Sequence, residues 1–242
     1  MKYAIRDNNL AIVGDTHGVY TFQQIVEEYI PDGLDVFHVG DLGVGFDQKK
    51  DEKQLKRLGE IADERGINLY AIRGNHDDPA AWPAVHGNLT LLEDYSELVF
   101  PNGKQALCVG GGISIDRCVR RVGKSYWTGE LTKFIKHKCK LSEFLFLHDA
   151  PSYFNKTNKT LKTYKIWDPR KKETVLVAER DPTLFAECRV QRNQIDQIVR
   201  EAKPSMIVGG HYHNSRSEQV HNIRYRCLDI NEIYDFNSNI EL

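Results

Sequence analysis

Residues 11–18 read "AIVGDTHG". An apolar run stops at Gly14, and a carboxylate and an imidazole follow within three residues. Asp15 and His17 are two residues apart, so on an extended backbone both side chains project to the same side. Gly14 and Gly18 clear space around them. The pair is placed to grip one object at the end of a buried strand.

The same pattern recurs along the chain. Short apolar runs at 10–13, 35–39, 68–72, 144–147 and 205–208 read as strands, each closing on glycine or polar residues. Helical periodicity separates them at 21–29, at 51–65 with Gly66 as the stop, and at 189–202 before Pro204. "ELVFPNGKQALCVGGG" reads as a hairpin turning at Asn102-Gly103, and "SEQVHNIRYRCLDI" as a second one near the C-terminus. This alternation predicts an α/β chain, with a second sheet or an antiparallel extension of the first. A single domain over 1–242 accommodates it, with a polar, lysine-rich insertion or flap at about 152–179.

Ligands in α/β sheets bind beyond the carboxyl ends of strands. Here five successive strand ends are Gly14-Asp15-Thr16-His17-Gly18, Gly40-Asp41-Leu42-Gly43, Gly74-Asn75-His76-Asp77, His148-Asp149 and Gly209-Gly210-His211-Tyr212-His213. They deliver Asp15, Asp41, Asn75 and five of the nine His toward one edge. Any one of these motifs is an ordinary turn or cap. Five in order are a ligand set. His38, His86, His137 and His221 fall elsewhere and read as structural.

Imidazoles mixed with carboxylates and an amide suit first-row ions, Mn foremost with Fe, Zn or Ni as alternatives, better than Ca or Mg. Two divalent ions against the charges of Asp15 and Asp41 leave roughly +2, which a phosphate dianion complements. Such a pair, roughly 3.5–4 Å apart, holds a bridging hydroxide and clamps a phosphoryl group.

The ordered motifs GDTHG, GDLG, GNHD, HD and GGHYH, spanning 14–214, resemble the calcineurin-like metallophosphoesterase superfamily. The resemblance implies an α+β sandwich of two mixed β-sheets packed together and flanked by helices. It implies a first metal on Asp15, His17, Asp41 and His213, and a second on Asp41 (bridging), Asn75, His148 and His211. His76 would contact substrate phosphate and help protonate the leaving group, with Asp77 orienting it. The second motif lacks the Asp-Arg-Gly that follows it in the Ser/Thr protein phosphatase branch. "GGGISIDRCVRRVGKSYW" (110–127) instead resembles a stretch of bacterial and phage members.

On the substrate side, Arg73 precedes the third motif and either reaches phosphate or pairs with a nearby carboxylate. Arg117 and Arg120 follow a glycine-rich turn and either clamp an anion or form a solvated run. Between Arg117 and Lys172 the chain carries 15 Lys/Arg against 4 Asp/Glu, although the whole chain is at −1. That segment is a positive surface drawing anions or a set of solvated loops. Trp127, Tyr153, Tyr164 and Trp167 within it stack on nucleotides or pack beneath a flap.

The expected activity is metal-dependent hydrolysis of phosphate esters. A nuclease or nucleotide phosphodiesterase is the alternative, and a non-catalytic metal-binding scaffold the more distant one. No long apolar run, no secretory leader and five scattered cysteines without C-x-x-C lead to the expectation of a cytoplasmic protein away from membranes.

Overall fold

A computed structural model describes residues 1–154 and 164–240. The chain begins with β1 (Lys2–Ala4), β2 (Asn9–Val13), α1 (Val19–Tyr29), β3 (Val36–His38), α2 (Gln48–Glu64) and β4 (Leu69–Ala71). It continues through β5 (Ala84–His86), β6 (Leu89–Leu91), β7 (Ser96–Val99), β8 (Gln105–Val109) and β9 (Phe144–Leu147). The hairpin β10 (Lys165–Asp168) and β11 (Glu173–Leu176) leads into α3 (Val177–Arg180) and α4 (Leu184–Ala202). Strands β12 (Met206–Gly209), β13 (Arg216–Val220), β14 (Ile223–Cys227) and β15 (Ile233–Asn237) complete it.

Two large mixed sheets result. One has six strands in the order β15-β2-β3-β4-β6-β5, the other seven in the order β1-β7-β8-β9-β12-β14-β13. In the first, β2, β3, β4 and β6 run parallel; in the second, β8, β9, β12 and β14 do. Both expected hairpins form, β7 with β8 and β13 with β14, each antiparallel.

Side-chain alternation explains the layering. In β9, "FLFL", Phe144 and Phe146 join Leu10, Ile12, Phe37 and Val208 in the core between the sheets. Leu145 and Leu147 point the other way, toward Ile195, Ile198, Val199 and Ala202 of α4. A strand buried on both faces has no polar alternation to show, hence its continuous apolar run. On the six-stranded sheet, Ala11, Val13, Val36 and Leu69 pack on the apolar stripes of α1 and α2. The order of layers is helices, sheet, sheet, helix: two mixed β-sheets packed together and flanked by helices.

Two sequence expectations need adjusting. Helix α4 begins at Leu184 rather than 189, because Leu184 and Cys188 are buried against Ile113 and Val177 instead of against a sheet. Helix α2 begins at Gln48, capped by the Asp47 side chain accepting from the Lys50 amide at 3.2 Å. The expected flap at 152–179 falls partly outside the described residues; its described part is the β10–β11 hairpin and α3. Tyr164 and Ile166 of that part pack on the same small apolar cluster as Ile113.

No helix among the described residues is long and apolar enough to cross a membrane. All five cysteines are free.

Candidate metal centre

The carboxyl ends of β2, β3, β4, β9 and β12 bring the five motifs to one place. Ring atom Nδ1 of His148, beyond β9, donates to the Val39 carbonyl beyond β3 at 3.0 Å, joining the two sheets. With Nδ1 engaged in that bond, Nε2 is the His148 nitrogen that faces the centre. It lies 3.3 Å from Asp41 Oδ1 and 3.1 Å from Asn75 Oδ1. His213 Nε2 is 3.1 Å from Asp15 Oδ2 and 3.0 Å from His17 Nε2.

Two groups of donor atoms are close enough to share an ion: Asp15, His17, Asp41 and His213 in one, Asp41, His148 and His211 in the other. Within each group the atoms lie within 4.8 Å of one another. Asp41 belongs to both. Asn75 Oδ1 adjoins the second group through His148. Fully buried Asp15 Oδ1 has no hydrogen-bond partner, and two imidazole nitrogens face each other across 3.0 Å. Donor atoms crowded together with a buried carboxylate oxygen unsatisfied fit a cation, since otherwise each would carry an uncompensated cost. The donor set is N and O, as first-row ions prefer.

The local backbone is bent to achieve this. His17, Asp41, His211 and His213 all have positive φ, between 46° and 68°. Non-glycine residues adopt that region at a cost of about 1 kcal/mol or more each, and it clusters at functional sites. Two glycines make room for the carboxylates. A Cβ on Gly74 would lie 2.0 Å from Asp41 Oδ1, and one on Gly210 2.1 Å from Asp15 Oδ1. The Gly-Asn-His and Gly-His spacings thus follow from the need to seat a carboxylate against bare backbone.

Electrostatics follow burial. Burial opposes a charged His148, but Asp41 and Asp15 overrule it and push the ring up to about 10. Burial lowers His76 to about 4, with Asp41 opposing and Arg120 reinforcing the shift. Asp77, fully buried, is raised by burial and by Asp41 to about 6.

Asp77 accepts four backbone amides: Leu42 at 3.2 Å, Gly43 at 2.7 Å, Val44 at 3.0 Å and Gly74 at 2.7 Å. Its carboxylate ties the loop after β3 to the loop after β4. It therefore bears on His76 through the backbone rather than by direct contact. His76 itself donates its amide to Asp41 Oδ1 at 2.7 Å.

The three arginines part company. Arg120 Nη2 donates to His76 Nε2 at 2.6 Å and lines the cavity at the centre. Arg117 is bound by Asp181 at 2.5 Å and Glu187 at 2.6 Å, bracing the 110–127 stretch against α4 and its leading turn. Arg73 is buried, paired with Asp94 at 2.8 Å and bonded to the carbonyls of Gly129, Glu130 and Leu131. Neither Arg117 nor Arg73 lines the cavity.

That cavity, about 630 Å³, runs from His17, Asp41, Asn75, His76, His211 and His213 to a wall of Ile113, Ile115, Tyr164 and Cys188. Among the described residues its basic side chains, histidines apart, are Arg120 and Arg192, not lysines. Lys165, Lys171 and Lys172 are exposed; Lys162 lies outside the described residues. Trp127 is buried against Phe46, whereas Trp167 is 56% exposed.

Sequence reasoning missed Ser114, Asp116, Glu130 and Arg192. One signal was available for the first two. Gly110-Gly111-Gly112 follows β8, a sixth strand ending at the same edge, and Ser114 comes two residues later.

A family model described as calcineurin-like phosphoesterase matches residues 9–215. Among solved structures, "GAP50 the anchor in the inner membrane complex of Plasmodium" is similar at a TM-score of 0.42 and 10% identity, over 91% of this chain and 71% of its own. A protein serine/threonine phosphatase from Saccharomyces cerevisiae, described as similar to human phosphatase PP5, gives 0.38 and 11%, over 95% and 70%. No curated protein matches the chain.

Proposed function

This chain belongs to the calcineurin-like phosphoesterase family, hydrolases of phosphoester bonds, and on that premise we propose that it works with two divalent ions sharing Asp41. Asp15, His17, Asp41 and His213 would hold one; Asp41, Asn75, His148 and His211 the other. The observation carrying this reading is the position of Asp41 in both donor groups. Divalent ions in such a pair activate water and neutralise phosphoryl charge. Mn suits the mixed imidazole and carboxylate donors, with Fe, Zn and Ni as alternatives.

The chain's own side chains have distinct tasks in this scheme. His76 sits 4.0 Å from Asp41 at the cavity edge, where a phosphate oxygen or a leaving group would lie. It is neutral in the free site; a bound phosphate dianion raises its proton affinity and readies it to protonate the departing oxygen. Arg120 supplies a guanidinium to the same place. Asp77 keeps the two loops in register.

We read 1–242 as one catalytic domain in a reducing compartment, the free cysteines supporting the latter. A second reading, a nucleotide phosphodiesterase, draws on the cavity wall: Tyr164 with Ile113 and Ile115 beside Arg120 and Arg192 suits a planar, anionic ester. Extended nucleic acid has less support, because the cavity's described basic residues are not the exposed lysines.

Chelation should abolish hydrolysis of an aryl phosphate, and Mn should restore it. Full activity in protein shown by elemental analysis to be metal-free would overturn the reading. A panel of monoesters, diesters, nucleotides and RNA separates the two substrate classes.

A further inference from the structure

Asn75 offers either its oxygen or its nitrogen to the centre, and only the oxygen can hold a metal. What decides the orientation is therefore a functional question. Asn75 Nδ2 donates to Ser114 Oγ at 3.1 Å. Ser114 Oγ also accepts from Arg120 Nη1 at 3.3 Å and donates to Glu130 Oε2 at 2.6 Å. A hydroxyl has one proton and two lone pairs, so this one is saturated. Its direction is imposed by Glu130, whose other oxygen accepts the Ser114 amide at 2.8 Å.

Glu130 and Ser114 are almost fully buried, at 1% and 0% exposure. Burial pushes the Glu130 carboxyl up to about 7, while the two hydrogen bonds from Ser114 and the charge of Arg120 favour its ionised form. Its backbone is fastened too, because Arg73 donates to the Glu130 carbonyl at 2.8 Å. We infer that Glu130 and Ser114 are positioning residues: ionised Glu130 only accepts, so the Ser114 hydroxyl donates to it and receives from its other neighbours, which turns the Asn75 oxygen toward the second metal position and holds Arg120 beside His76. This inference rests on the two-metal reading.

Glu130→Gln is the informative variant. A glutamine in the same place still accepts the Ser114 amide but turns an N–H toward Ser114 Oγ. The hydroxyl proton then points to Asn75 and calls for its oxygen, rotating the amide. In Mn titrations followed by calorimetry, Glu130→Gln and Ser114→Ala should weaken one of the two ions about 10–100-fold, the usual effect of removing a partner behind a ligand. The other ion should keep its affinity, and Ser114→Thr, which retains the hydroxyl, should restore both. Equal weakening of both ions, or no change in either, overturns the proposal.

A second readout does not depend on metal. In ¹⁵N-labelled metal-free protein, the Asn75 side-chain amide should give two well-separated, slowly exchanging proton signals that shift or broaden in Glu130→Gln. Unchanged signals overturn the proposal as well. If the wild type takes up fewer than two ions, the two-metal reading fails on that ground alone, and the amide signals decide the orientation.

Discussion

Arg120 reaches His76 across 2.6 Å, from Nη2 to Nε2, and Asp116 holds the same guanidinium from behind at 2.6 Å. A guanidinium only donates, so Nε2 of His76 accepts and the ring carries its proton on Nδ1. The pair is a neutral acceptor and a cation waiting at the cavity edge. A phosphate oxygen entering there competes with the ring nitrogen for Arg120. Arg120→Ala should lower kcat/KM for an aryl phosphate by about 10–100-fold, the equivalent of one charge-assisted hydrogen bond. Arg117→Ala, which frees Asp181 and Glu187 instead, should lower the melting temperature and leave KM alone. If Arg117→Ala raises KM as much as Arg120→Ala does, the separation of these roles is wrong.

His148 competes with the metal for its own lone pair. Without an ion, Asp41 and Asp15 hold its proton up to about 10 against burial. An arriving divalent ion must displace that proton. Mn affinity should therefore rise with pH across the neutral range, with about one proton released per ion at the second position. Calorimetry in buffers of different ionisation enthalpy counts the protons directly. Affinity that is flat with pH would show that His148 is unprotonated before metal arrives.

Asp77 is the place where stability and site geometry share one side chain. Its removal strands four amides, three of them in the loop that carries Asp41. Asp77→Ala should cost about 3–5 kcal/mol, as for other disrupted buried networks. Asp77→Asn keeps one acceptor oxygen and should fall between. Urea denaturation of the metal-free proteins measures both, and a loss no larger than that of a surface substitution would contradict the bracing role.

His38 should report on pH without touching the centre. It is wholly buried, its Nδ1 accepts the Gly40 amide at 3.2 Å and its Nε2 lies 3.1 Å from Thr16 Oγ1. Burial lowers it to about 3, although Asp15 and Asp41 pull the other way. The folded protein refuses a proton that the unfolded chain accepts below its ordinary value. Its contribution is thus complete above about pH 6.5 and is lost as pH falls toward 3, by at most ~1.4 kcal/mol per pH unit. His38→Gln should flatten the acid limb of the stability curve relative to wild type. An unchanged slope would place the acid sensitivity elsewhere.

Much of this is legible in the sequence itself. A buried parallel strand has to be short and apolar and has to end abruptly, so the strands at 10–13 and 144–147 announce themselves. The residues past their ends are the ones a ligand meets. Side chains able to hold a metal are chemically distinctive, which makes Asp15, His17, Asp41, Asn75, His148, His211 and His213 conspicuous in linear order. Helix α4 was partly legible too: the stripe at Ile195, Ile198, Val199 and Ala202 fits a sheet-facing helix. Leu184 and Cys188 continue that stripe toward the N-terminus, but they pack on Ile113 and Val177 instead of on a sheet.

The arginines and the residues behind the ligands were different. Arg73, Arg117 and Arg120 are chemically equivalent in a sequence. Which of them meets Asp94, which meets Asp181 and Glu187, and which meets His76 depends on how distant loops close. Glu130 lies 55 residues from Asn75 along the chain and is joined to it through one hydroxyl. The sequence by itself determined which side chains can hold a metal and which strand ends present them, because periodicity and donor chemistry are local properties. Tertiary structure alone decided which charges are spent on the fold and which face the cavity, because a guanidinium or a carboxylate takes its role from whichever partner the packing brings within hydrogen-bond reach.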